Sequence, residues 1–205
     1  GSFSSMAGWS TLTLTSARGT QKVREFKMAS RDNDVGETDL IMRMEEPADM
    51  RGNGFLVRGR EGDDDRYIYV PALGRSSRIV GSGRGGSFMS SEFSYEDIGS
   101  PELDEWDWTL VDVVQVEGHA CQVVEATPAT DKIKKDTGYS KVRYYVDEAL
   151  LVSRKAEYWD KAGVHFKTMT VAAIETLGSG TPFATDMRMT HLASGRTSRM
   201  LMRDL

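Results

Sequence analysis

The sequence predicts a mainly β protein laid out as one antiparallel meander of roughly ten strands. Three observations predict it. Apolar and polar residues alternate with a period of two in segment after segment, as half-buried strands require. Short glycine-containing turn signals separate those segments. Helical periodicity is hard to find, so no crossover element is on hand to join parallel strands. A sheet of that many long strands with one apolar face must close into a barrel or curl over that face.

Taken in order, Leu12 and Leu14 alternate with Thr11, Thr13 and Thr15; Phe26 and Met28 with Glu25 and Lys27; and Leu40, Met42 and Met44 with Asp39, Arg43 and Glu45. A strand follows at 55–57. Another at 67–70 is rich in aromatic and β-branched residues and stops at Pro71, which cannot donate the next ladder hydrogen bond. Gly74 permits a turn into 75–80. The glycines Gly81, Gly83, Gly85 and Gly86 then mark a loop whose backbone takes positive φ or passes close to another surface. Phe88, Met89, Phe93, Tyr95 and Ile98 supply apolar bulk to a segment too irregular for a helix and too polar at Ser90, Ser91 and Glu92 for a central strand. It reads as a flap. Strands resume at 106–116, 119–126, 140–146, 151–159, 164–177, 183–192 and 197–202, with turns at Arg18-Gly19, Glu117-Gly118, Asp160 to Gly163 and Ser194-Gly195. No internal repeat is evident.

Composition agrees with one soluble domain over 1–205: 205 residues, 39% apolar, net charge -5. No run approaches the roughly 20 apolar residues of a membrane-spanning helix. Mild acidity without a basic cluster argues against nucleic acid. Cys121 is the single cysteine, which excludes an internal disulfide, and its Val-rich strand makes it a small buried hydrophobe. The leading Gly1-Ser2 has the form of an expression remnant, with any signal peptide already removed.

Chemistry-bearing patterns are few. Residues 81–86, Gly-Ser-Gly-Arg-Gly-Gly, match a dinucleotide-binding pattern and follow a strand, but no helix begins behind them to aim its dipole at a pyrophosphate. Asp63, Asp64 and Asp65 lack the spacing of a calcium loop and read as a solvated hairpin tip. His119, His165 and His191 fall on different strands without metal-ligand spacing. No Ser, His and Asp arrangement is visible. No catalytic residue, metal or cofactor is expected, and the chain is not read as an enzyme.

The stretch from Tyr67 to Ile98 carries the strongest signal. It contains Tyr69-Val70-Pro71-Ala72-Leu73-Gly74-Arg75, then Arg78-Ile79 before the glycine-rich run, then Ser87-Phe88 and Phe93-Ser94-Tyr95-Glu96-Asp97. In this order the motifs resemble the hallmark of LolA-like outer-membrane lipoprotein-sorting proteins. Later parts fit as well: Gly118-His119-Ala120-Cys121, Val123 to Pro128, Tyr139 to Val142, Val146-Asp147 and Thr185 to Met189. The resemblance implies an incomplete, strongly curved antiparallel half-barrel, its concave apolar face partly covered by short helices or loops and holding an acyl chain. It also implies a helix before the first strand. Phe3 to Gly8 is too short to supply one, so part of the cover is expected to be missing.

Methionine supports an apolar site. Eleven are present, and Met42 with Met44, Met187 with Met189, and Met200 with Met202 alternate so that each pair shares a strand face. Unbranched, polarizable side chains adapt to a flexible guest, although a core makes the same demand. The expected ligand-binding set is Leu40, Met42, Met44, Met187 and Met189 on the wall and Phe88, Met89, Phe93 and Tyr95 in the lid. Arg75, Arg78 and Arg84 form a basic rim suited to phosphate or carboxylate headgroups, or else pair with Glu92, Glu96 and Asp97. Two functions follow. One is a periplasmic carrier of lipoprotein acyl chains or lipid, taking cargo from an inner-membrane exporter to an outer-membrane acceptor. The other is a non-enzymatic accessory module of an RND-type membrane exporter. The carrier predicts an unfilled cavity beneath the flap, the module a packed interior and an exposed binding edge.

Overall fold

In the computed structural model, which describes residues 5–99, 101–178 and 180–205, thirteen strands form one antiparallel sheet. They are β1 (Ser5–Thr15), β2 (Gln21–Asp32), β3 (Thr38–Glu46), β4 (Gly54–Arg58), β5 (Asp65–Val70), β6 (Arg75–Ile79), β7 (Trp106–Val116), β8 (His119–Pro128), β9 (Tyr139–Asp147), β10 (Ser153–Asp160), β11 (His165–Thr176), β12 (Pro182–His191) and β13 (Thr197–Arg203). The segments read one by one as strands number twelve, already above the rounded ten, and 75–79 pairs with β5 as the thirteenth.

The order across the sheet is β6-β5-β4-β3-β2-β1-β13-β12-β11-β10-β9-β8-β7. The meander is therefore split in the middle. Its first six strands run outward from β1 in one direction and its last seven run from β13 in the other. The seam is the β1–β13 pairing, which sets Leu12 opposite Met200 and Leu14 opposite Ser198. β6 and β7 stay unpaired with each other, so the sheet is a half-barrel with two open edges.

Register decides which side chains meet inside. Phe26 lies opposite Met44, Met28 opposite Met42 and Met42 opposite Phe55, all buried on the concave face. Across the seam, Met200 continues that face to Met187. The first described residues already belong to β1; Phe3 lies outside the described residues. Cover comes from elsewhere. One source is the segment 81–98, which holds only single 3-10 turns at Gly81–Gly83 and Phe88–Ser90. The other is helix α1 (Asp131–Thr137), which the sequence reading missed. Its signals are at the ends: the Thr130 hydroxyl accepts from the Ile133 N–H at 3.3 Å, and Gly138 closes the helix at φ 83°. With seven residues and Ile133 as its one strongly apolar member, it has no periodicity to detect.

The glycine-rich approach to the flap is explained by α1. A Cβ on Gly85 would stand 2.6 Å from the Thr137 carbonyl oxygen, and the Gly85 N–H donates to the Asp136 carbonyl at 3.0 Å. Glycine is needed there for a close approach, which clamps this part of the loop.

Candidate functional site

The lid is built around one aromatic side chain. Phe88 is fully buried in the concave face, with ring centroids 5.3 Å from Phe55, 5.8 Å from Tyr95 and 6.1 Å from Phe26. Met89 and Phe93 are buried beside it, as are Met42, Met44 and Met189 on the wall, while Leu40, Tyr95 and Met187 pack at the margin of the same cluster. Wall and lid residues singled out from the sequence are thus brought together, and they touch one another. At the lid tip Met89 and Ser90 both take left-handed backbone, φ 47° and 58°, an unfavourable conformation for side-chain-bearing residues that the surrounding contacts hold in place.

Two ionic anchors fasten this apolar plug. At one side the Arg84 guanidinium forks onto Glu96 (2.8 and 3.0 Å) and Glu105 (2.8 and 2.5 Å). Burial opposes the charge, but the hydrogen bonds the guanidinium donates to Glu105 and Glu96 more than offset it and hold its pKa above its ordinary value. Of the two roles open to Arg84, headgroup contact at the rim or pairing within its own segment, the structure has the second: it pairs with Glu96, and its charge is spent inside. Buried Arg66 lies 3.6 Å from Asp63, 3.9 Å from Asp64 and 4.0 Å from Glu96. The aspartate triplet is thus no free solvated tip: Asp64 serves Arg66, and Asp65 pairs with Arg60 and Arg78. Close by, burial and the neighbouring Asp64 carboxylate push the Glu102 carboxyl up to about 8. Of the expected rim cations, Arg75 is exposed on β6 and Arg78 is occupied by Asp65.

At the other side the Lys167 ammonium meets Asp97 at 2.6 Å, both side chains 4% exposed. Asp97 also accepts from the Tyr139 hydroxyl at 2.8 Å and the Ser94 N–H at 2.6 Å, so three donors hold its carboxylate. The ammonium lies 4.9 Å from the Tyr139 ring centroid, 4.8 Å from that of Tyr158 and 5.7 Å from that of Phe166. Burial raises the pKa of both tyrosines, with the Asp97 charge adding to it, so both remain neutral. The lid tip is tied down as well: the Glu92 N–H donates to the Ser198 hydroxyl at 3.0 Å and its carboxylate pairs with Arg196 at 2.8 Å.

Lys167 was missed in the sequence, yet a signal was there. In β11 it stands in phase with Met169 and Val171, on the apolar side of the alternation, and Arg66 stands in phase with Ile68 in β5. A cation at an inward position needs a partner from another element, and the lid provides it.

A cleft of about 660 Å³ opens beside this anchor, lined by Lys22, Lys167, His191, Arg196 and lid residues 90–94. The lid covers a filled interior, not the unfilled cavity expected of a carrier, because Phe88, Met89 and Phe93 pack against the wall and occupy that space. Cys121 is fully buried and free. Among the described residues no group of His, Cys, Asp and Glu is placed to hold a metal ion, and no helix is long and apolar enough to cross a membrane.

Residues 36–205 match the model of a family described as an uncharacterized protein. No curated protein matches the chain. Among solved structures, a candidate outer-membrane lipoprotein-sorting protein domain from Vibrio parahaemolyticus is 27% identical, with a TM-score of 0.90 over 98% of this chain and 84% of that one. A DUF1329 family protein from Desulfovibrio piger is 29% identical with a TM-score of 0.88 and the same coverage. A LolA superfamily protein from Nitrosomonas europaea, at 20% identity and a TM-score of 0.75 over 98% of this chain and 84% of that one, shares the fold.

Proposed function

We propose that this chain, which belongs to the family whose model it matches over residues 36–205 and has a LolA-like lipoprotein-sorting fold, is a periplasmic carrier of acyl chains. One observation carries the reading. The lid is a short excursion whose apolar side chains, Phe88, Met89 and Phe93, fill the concave face in the place a guest's methylenes would take. Exchanging lid contacts for acyl contacts keeps the wall dry in both states, so the difference between them is small and a ligand shifts it. Binding and release need no covalent step. On this reading the wall is Leu40, Met42, Met44, Met187 and Met189, and the cargo is a lipoprotein's acyl chains or a lipid passed towards the outer membrane.

Native mass spectrometry of the purified protein tests it by seeking co-purified lipid, together with hydrogen exchange over 81–98 with and without a long-chain amphiphile. Faster lid exchange in the presence of the amphiphile, with the β1 and β2 amides unchanged, is expected. Slow lid exchange in both conditions would identify a fixed plug.

A second reading, the non-enzymatic accessory module of an exporter, draws support from the packed interior and from β7. This edge strand exposes Leu110, Val111 and Val113, whereas the opposite edge carries Arg75 and Arg78. Charged residues blunt an edge, and apolar ones leave it open to strand addition. Val113→Lys abolishing capture of an exporter by a protein that holds no lipid would favour this reading over the carrier.

A further inference from the structure

We infer that the cargo is an anionic amphiphile, because the closed lid already imitates one. This rests on the carrier reading and names the head of the guest as well as its tail. The lid presents an apolar body, Phe88, Met89 and Phe93, to the concave wall. From the same segment it presents two carboxylates to the cations of the adjoining cleft, Asp97 to Lys167 at 2.6 Å and Glu92 to Arg196 at 2.8 Å.

Cross-strand register explains why the cations gather there. Lys22 and Ser198 both lie opposite Leu14, at the end of the seam, and Lys167 lies opposite His191. All four residues line the 660 Å³ cleft together with Arg196, and most of the remaining lining is Ser and Thr. Hydroxyls, an ammonium pair, a guanidinium and an imidazole suit phosphate or carboxylate oxygens. The one acidic residue in the lining is Glu92, which belongs to the lid.

Lifting the lid removes Glu92 and Asp97 and leaves Lys167 and Arg196 uncompensated at the mouth of an uncovered apolar face. A neutral chain would satisfy the face and strand Lys167 among Tyr139, Tyr158 and Phe166 without an anion. An anionic head on the same chain replaces both losses. Lys22, exposed and closest in register to the seam, adds a contact the closed lid does not use.

The test is a binding series at constant chain length: dodecyl phosphate, monolauroyl glycerol as the neutral partner, and inorganic phosphate as the head alone. Dodecyl phosphate is expected to bind at least about tenfold more tightly than monolauroyl glycerol, the scale of one charge-assisted contact. Lys22→Gln, at an exposed site that leaves the fold intact, is expected to weaken dodecyl phosphate several-fold and leave monolauroyl glycerol unchanged. Asp97→Asn is expected to strengthen dodecyl phosphate binding by releasing Lys167.

Equal affinity for the charged and neutral chains overturns the inference and leaves the carrier reading standing. Binding of neither chain overturns the carrier reading and the inference with it. Inorganic phosphate binding as tightly as dodecyl phosphate assigns the cleft to a free anion and refutes a headgroup role.

Discussion

Replacing Phe88 with alanine is expected to lower the thermal stability of the protein and raise its affinity for an acyl probe together. Phe88 is fully buried against Phe26, Phe55 and Tyr95. Truncating such a side chain costs about 3 to 5 kcal/mol, part of it lost transfer energy and part the cavity left behind. Because those contacts exist only in the closed state, the cost weakens lid closure by the same amount. At about 3 kcal/mol the balance between open and closed lid moves roughly a hundredfold. Apparent affinity scales with the competent fraction, so it rises by up to that factor and saturates once the open form predominates. The melting temperature falls by about 6 to 12 °C for a domain of this size. Displacement of a fluorescent fatty acid and thermal melting, measured on one preparation, supply both numbers. A folded variant that loses stability with no gain in affinity would refute the reasoning, since it would mean that Phe88 never vacates the wall.

Arg84→Met leaves Glu96 and Glu105 buried without their cation and is expected to cost about 3 to 5 kcal/mol in chemical denaturation; Arg84→Lys should restore little, because a point charge cannot replace the two-sided fork. Glu102 carries a folded pKa of about 8 against an ordinary value of 4.5. The native state thus binds this proton more tightly than the unfolded one. Its contribution is intact below pH 4.5 and is lost as pH climbs to 8, and Glu102→Gln should flatten the stability profile over that window; an unaltered slope would exclude Glu102 as its source. Met187, at the margin of the core, is the better wall probe: Met187→Asp should leave a folded protein with weakened fatty-acid uptake. Met44→Asp, by contrast, buries a charge at a fully enclosed site and should fail to fold, as circular dichroism would report.

Much of the fold was legible because its signals are local. Alternation in Leu12-Leu14, Phe26-Met28 and Leu40-Met42-Met44 depends on which side of a strand faces water, and it marks β1, β2 and β3 where the structure has them. The turns at Gly19, Gly118, Gly163 and Gly195 all adopt the positive φ that glycine tolerates. The 106–116 strand coincides with β7. Helix α1 escaped because seven polar-rich residues carry their signal in the caps.

Pairing between distant strands, and the partners of buried charges, belong to tertiary structure alone. The seam joins residues nearly a whole chain apart, Leu12 with Met200, and period-two patterning says which face a side chain takes without saying which strand lies beside it. The same holds for charge. Alternation puts Lys167 and Arg66 on an inward face, but only the closed lid brings Asp97 and Glu96 to them; for Arg84 the sequence offered Glu96 as a partner, and the fold added Glu105, which makes it an interior anchor. Sequence order supplied the residues of wall and lid; the low dielectric between them, where an unpaired charge is costly, decided how they are joined.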